Sequence, residues 1–141
     1  MDTTSAGIEI YDRWAQLWSG TLPARAIMAS SIRLRYAQPG AEHFNEITDV
    51  DSFAGAVGAF RAARPGILYE AEGPGVVDFD DEGTGHVARP YLATIPDPDG
   101  GAPVRVSGTD ILRCECGRIV EVWSVSARGL PFYPEGASPV V

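Results

Sequence analysis

Apolar positions recur at spacings of three and four near the start of the chain. Ile10, Tyr11, Trp14, Leu17 and Trp18 fall on one face if Ile8 to Ser19 is helical. Gly20 supplies a stop, and Thr21 caps a short second helix to about Ala29, with Pro23 in its first turn. Ile32 to Ala37 then alternates apolar with basic residues, the pattern of a half-buried strand. Pro39 to Asp49 reads as a loop. A third helix is predicted from about Asp51 to Arg64, with Phe53, Val57 and Phe60 on its buried stripe, and Pro65-Gly66 ends it.

From Ile67 onward the period changes to two. Ile67 to Asp80 is broken at Gly73-Pro74-Gly75, and Asp81-Glu82-Gly83 turns the chain. Thr84 to Ile95 is the next strand, Pro96 to Pro103 a loop, and Val104 to Glu115 with Arg118 to Ser126 a hairpin about Cys116-Gly117. Helices followed by an antiparallel meander predict an α+β domain with its helices on one face of the sheet. Three helices do not fill the concavity of a long, curved sheet, so a pocket for a small hydrophobic molecule is expected.

The length of 141 residues suits one domain and one core. We assign residues 1–128 to it and 129–141, with three prolines, to an extended tail. A net charge of −8 makes nucleic acid a poor partner, since phosphate binding needs a basic face, and disfavours anionic membrane surfaces. No apolar run approaches the roughly 20 residues of a membrane span. The start of the chain lacks a basic segment followed by an apolar one, so a cytoplasmic location is expected. Cys114 and Cys116 are poorly spaced for a disulfide and are expected to be free thiols.

Two segments carry a resemblance. Val106 to Val125 reads Val-Ser-Gly-Thr-Asp-Ile-Leu-Arg-Cys-Glu-Cys-Gly-Arg-Ile-Val-Glu-Val-Trp-Ser-Val, and the first helix carries Trp14-Ala15-Gln16-Leu17-Trp18-Ser19-Gly20. Both are similar to the nuclear transport factor 2-like fold, in its SnoaL-like polyketide cyclase branch. The resemblance spans roughly residues 8 to 127. It implies a cone-shaped α+β barrel, a strongly curved mixed or antiparallel sheet wrapped around three helices of the N-terminal half and one deep hydrophobic pocket. It also implies a homodimer. The fold hosts isomerases, cyclases, epoxide hydrolases and non-catalytic binding domains, so chemistry must be argued from the site.

One face of the strand 104–114 reads Val104, Val106, Gly108, Asp110, Leu112 and Cys114, and Asp110 is its only charged member. Burial raises a carboxylate pKa, which suits a general acid or base, although a structural Asp tied to backbone or an Arg fits the same pattern. Asp110 also matches the strand position at which ketosteroid isomerases, another branch of the fold, place a hydrogen-bonding Asp. Val87, Arg89, Tyr91, Ala93 and Ile95 share a mostly apolar face, with Pro90 marking a bulge or an edge. Arg89 and Tyr91 resemble the R-x-D of limonene epoxide hydrolase-like members, with Tyr91 in place of the Asp. Arg89 is then expected to hold Asp110 ionised, and Tyr91 to bond a substrate oxygen. Tyr36 occupies the position of the ketosteroid isomerase general-base Asp, and is expected to donate a hydrogen bond or line the pocket mouth.

Many relatives carry a further Asp after the Trp of the last strand. Here Trp123 is followed by Ser124-Val125-Ser126-Ala127. Trp14, Trp18, Phe60, Leu112 and Trp123 complete the expected pocket wall. His43 and His86 stand alone and read as solvated, and Asp78, Asp80, Asp81 and Glu82 read as a solvated hairpin end. No phosphate loop, dinucleotide fingerprint or metal cluster appears, so no cofactor and no metal is implied. The resulting expectation is a cofactor-free cyclase or isomerase for a hydrophobic polyketide- or terpenoid-like molecule, with Asp110, Arg89 and Tyr91 as its catalytic group. A non-catalytic binding or dimerisation domain is the alternative, and an epoxide hydrolase the third.

Overall fold

The computed structural model describes residues 2–127 and 130–134. Two α-helices and a six-stranded sheet follow one another as α1 (Thr3–Trp18), β1 (Met28–Tyr36), α2 (Val50–Ala62), β2 (Leu68–Ala71), β3 (Val76–Phe79), β4 (Gly85–Ile95), β5 (Val104–Glu115) and β6 (Arg118–Ala127). The sheet order is β1-β6-β5-β4-β2, with β3 also paired to β4. β1 runs parallel to β6, and the other pairings are antiparallel, so the sheet is mixed.

Three helices were expected among the described residues, and two form. The segment expected as the second helix contains only a one-turn 3₁₀ helix, Ala24–Ala26. Its continuation is captured by β1, which begins at Met28 beside β6, with Ile119 N–H donating to Ile27 O at 2.8 Å. The first helix starts earlier than its apolar stripe, because Asp2 accepts from Ser5 N–H and caps it. Its end is held by Gly20 at φ +83° and by Arg61 of α2, whose Nη1 donates to Trp18 O at 2.9 Å. The expected loop 39–49 contains a 3₁₀ turn, Glu42–Glu46, pinned by buried Phe44. Of the expected tail, 129–141, residues 129 and 135–141 lie outside the described residues.

The core lies between the helices and one face of the sheet, where Trp14, Tyr11, Phe53, Leu34, Val87, Leu112 and Val122 are almost fully buried. α1 packs across β2, β3 and β4. Gly7 permits the close approach, since a Cβ there would sit 2.5 Å from Val77 Cγ1. On the opposite sheet face, Glu121 accepts from Arg35 Nε and from Arg113 Nε at 2.9 Å, tying β1, β6 and β5 together. These two cations hold the Glu121 carboxyl below its ordinary pKa. Cys114 is buried and Cys116 exposed, and both are free. No helix among the described residues is long and apolar enough to cross a membrane.

Candidate functional site

Alternation in β5 turns Val106, Gly108, Asp110, Leu112 and Cys114 toward the helices. Asp110 is 5% exposed. It sits on the wall of a cavity of about 690 Å³ between α2, the sheet and the 38–44 segment, within the usual range for small-molecule sites. Trp14 Nε1 of α1 donates to Asp110 Oδ2 at 2.7 Å, while Oδ1 is buried without a hydrogen-bond partner among the described residues. Burial raises the Asp110 pKa to about 6. The Trp14 N–H and the hydroxyl of Ser124, directly opposite on β6, pull the other way by favouring the anion. Desolvation wins.

The Asp110 indole partner is itself fixed. Its ring stacks on Phe53 at 5.7 Å and meets Trp18 edge-on at 6.0 Å. The carboxylate is therefore oriented by an aromatic cluster that joins α1 to α2. Above it, the cavity wall is mainly aromatic and aliphatic: Trp18, Phe44, Phe60, Tyr69, Ile95 and Val106. The α2 contribution is mostly small, with Ala56 and Ala59 lining the space and Ala63, the residue that caps the helix, continuing them at helical spacing. Phe53 and Val57 on the same helix point into the core instead.

Tyr91 reaches the cavity from β4, and its hydroxyl passes over Gly108. A Cβ at residue 108 would lie 2.5 Å from that oxygen and 2.7 Å from Val125 O, so the absence of a side chain at 108 makes the room for Tyr91. Burial and the Asp110 charge push the Tyr91 pKa up, which keeps its phenol protonated.

Arg89 does not pair with Asp110, although the two residues are directly opposite in the β4–β5 register. Its Nε donates to Gly73 O at 2.9 Å and its Nη1 meets Asp12 Oδ1 of α1 at 3.3 Å. The half-exposed Asp12 and a loop carbonyl accommodate the guanidinium nearer to solvent, which avoids burying a second charge beside Asp110. Nor do all the expected wall residues line the cavity. Trp18, Tyr36 and Phe60 do. Trp14 lies behind the wall as the Asp110 partner, and Leu112 is buried in the core beneath it. Trp123 shares the outer face with Glu121, near His86, because period two in β6 places Val122 and Ser124 inward instead. His43 belongs to the cavity lining and packs on Phe44.

Sequence reasoning missed Gln38, Tyr69, Ser124 and Ser126, which also line the cavity. For Ser124 and Ser126 the signal was available, since they continue the Val122 face of β6. Tyr69 shares the inward face of β2 with Ala71, on a strand too short to show a clear period.

Neither the family models nor the curated proteins give a match to this chain. Solved structures do. A protein of Acidithiobacillus ferrooxidans provisionally named a polyketide cyclase superposes with a TM-score of 0.72 at 23% identity, covering 91% of this chain and 92% of that one. A provisionally named SnoaL-like polyketide cyclase from Jannaschia gives 0.67 at 14% identity, with 89% and 88% covered. IdmH, a provisionally named polyketide cyclase from Streptomyces antibioticus, gives 0.63 at 21%, with 89% and 92% covered. The chain has the fold shared by the SnoaL-like and other nuclear transport factor 2-like proteins.

Proposed function

We propose that this chain is a cofactor-free cyclase or isomerase that moves a proton on a hydrophobic, polyketide- or terpenoid-like molecule held in the cavity, with Asp110 as the acid–base group. The observation that carries this reading is the Asp110 carboxyl: buried on the wall of an apolar cavity, with one oxygen fixed by Trp14 and the Ser124 hydroxyl opposite it on β6. A carboxyl with a pKa of about 6 is mostly ionised at neutral pH and still returns its proton readily. Oδ1 takes a proton from a carbon made acidic by an adjacent carbonyl, leaving an enolate. In an isomerisation the protonated Asp110 delivers that proton to a different carbon. In a cyclisation the enolate carbon attacks a second carbonyl, and Asp110 protonates the resulting alkoxide. Either way the carboxylate is regenerated and atoms balance. The apolar wall strengthens these interactions by keeping water away from the reacting carbon.

The names of the structural neighbours, as polyketide cyclases and a SnoaL-like isomerase, support the same class of reaction. Among the described residues the cavity lining holds no carboxylate besides Asp110, which argues against the two-acid opening of an epoxide. Asp110→Asn is expected to lower turnover at least ~100-fold in a mass-spectrometric screen of candidate lipophilic ketones. Full activity in that variant would remove Asp110 from the mechanism. Binding of those candidates without turnover by the parent protein would favour a sequestering role for the same cavity. We further propose that two copies pair through the outer sheet face, where Ile111 and Val125 are exposed. Sedimentation as a monomer at micromolar concentration would refute that pairing.

A further inference from the structure

Asp110 takes the Trp14 N–H from α1, 96 residues earlier in the chain, so the seat of that helix on the sheet decides where the donor falls. α1 lies lengthwise along β4, and its contacts give the alignment. Gly7 packs on Val77, which pairs with Val87. The Tyr11 hydroxyl donates to Arg89 O at 2.6 Å. Ser19 Oγ donates at 3.2 Å to the carbonyl of Tyr69, which pairs with Ala93. From residue 7 to residue 19 the helix advances about 18 Å. From residue 87 to residue 93 the strand advances about 20 Å. The two rises match, so helix and strand run side by side in one direction.

Within that alignment Tyr11 is the tie closest to the reactive group. It lies one turn before Trp14 on the buried face of α1. Its acceptor, Arg89, is directly opposite Asp110 in the β4–β5 register. Long helical side chains lean back toward the helix N-terminus, which carries the Trp14 indole over the level of Tyr11 and onto Asp110. The ion pair of Asp12 with Arg89 is a second tie at this level, half-exposed and therefore weaker. Tyr11 itself is fully buried and outside the cavity lining, so it does not touch a molecule held there. Around Asp110 stand Trp14, Ser124 and the phenols of Tyr11, Tyr36, Tyr69 and Tyr91. Burial keeps all four phenols protonated, and the Arg89 guanidinium is turned to Asp12 and Gly73 O.

We infer that Tyr11 is a positioning residue for the proposed reaction: its bond to the Arg89 carbonyl fixes α1 along β4 and so holds the Trp14 N–H on the Asp110 carboxylate. This rests on the proposed acid–base role of Asp110 for its effect on turnover, but not for its effect on the carboxyl. Without the Tyr11 hydroxyl the helix loses its stop beside Asp110. The Trp14 bond then slackens, and the anion loses part of its support.

Carbon-13 NMR of the Asp110 carboxyl across pH, without substrate, reads that support. Tyr11→Phe keeps the buried ring and should raise the Asp110 midpoint from about 6 by roughly half a pH unit or more. The pH at which activity rises should move upward equally, with KM unchanged. Trp14→Phe should raise the midpoint further, and adding Tyr11→Phe to it should change nothing more, because both act on one bond. Thr109→Val removes the other side-chain donor to Arg89 O, at 3.3 Å, and should leave the midpoint in place. p-Aminophenylalanine at position 11 keeps a neutral donor and should hold the wild-type midpoint, a test that stands even where Tyr11→Phe does not fold. A merely structural role lowers stability in urea and leaves the titration alone, so an unmoved midpoint in folded Tyr11→Phe overturns the inference. An equal rise in the Trp14→Phe background, in Thr109→Val or with p-aminophenylalanine does so too. Loss of turnover in Asp110→Asn with an unmoved midpoint in Tyr11→Phe would keep the acid–base reading and remove Tyr11. A raised midpoint, in a protein whose turnover survives Asp110→Asn, would do the reverse.

Discussion

Asp110→Asn is expected to make the protein more stable while it stops the chemistry. In the folded chain the Asp110 pKa is about 6, against 3.8 for an exposed aspartate. The difference is about two pH units, each worth about 1.4 kcal/mol. The sign follows from linkage. A raised carboxyl pKa means that the folded state holds the proton more tightly than the unfolded state. Its favourable contribution is full below pH 3.8 and is lost as pH rises through about 6. At pH 7 the ionised carboxylate therefore burdens the fold by roughly 3 kcal/mol relative to a neutral side chain. Asparagine is nearly isosteric, keeps an oxygen for the Trp14 N–H, and carries no charge. Denaturant unfolding should show the variant more stable by up to about 3 kcal/mol at pH 7, by about 1–2 kcal/mol at pH 5, and by nothing below pH 4. In a thermal scan at pH 7 the gain corresponds to roughly 6–12 °C. The pH dependence of the difference is the informative part, because the other carboxylates titrate equally in both proteins. A gain that is independent of pH, or a loss at pH 7, would refute the claim that Asp110 is buried as a charge.

Other outcomes follow from the same geometry. Trp14→Phe keeps the stack on Phe53 but removes the donor to Oδ2, so the Asp110 titration seen by carbon-13 NMR should move upward from about 6; an unchanged midpoint would show that the bond contributes nothing. Wild-type activity should rise with pH through about 6 as the base ionises, and a profile flat across pH 5–7 would exclude Asp110 as the base. Gly108→Ala should destabilise by about 1–3 kcal/mol and displace the Tyr91 ring, checked by chemical denaturation and a crystal structure of the variant. Glu121→Gln strips the anion from between Arg35 and Arg113 and should cost about 1–2 kcal/mol at pH 7, shrinking as pH falls through the lowered Glu121 pKa, measured by urea unfolding.

Much of the frame was legible because strand alternation is a local property. The inward face of β5, with Asp110 as its one charge, follows from period two alone, and the turns at Asp81-Glu82-Gly83 and Cys116-Gly117 fix where β4 begins, β5 ends and β6 begins. What surrounds Asp110 is not local. Its partner comes from α1, 96 residues earlier, and no pattern in either segment announces the pairing. Arg89 illustrates the same limit in reverse. The strand register does bring it opposite Asp110, yet the guanidinium goes to Asp12 because α1 crosses β4 there. Trp123 shows that apolar bulk misleads when it conflicts with period, since its alternation with Val122 and Ser124 sends it outward. Met28 was assigned to a helix because its local sequence tolerates one, and pairing with β6 overrides that preference.

The alanines that α2 turns toward the cavity, Ala56 and Ala59, have a further consequence. Phe53 and Val57 occupy the core side of that helix, and the Trp14–Asp110 pair lies on α1 and β5. One part of the cavity wall, on α2, is thus encoded apart from the Trp14–Asp110 pair, which α1 and β5 carry. Methyl-to-larger exchanges on that helix would reshape this part of the wall and leave the Trp14–Asp110 pair in place.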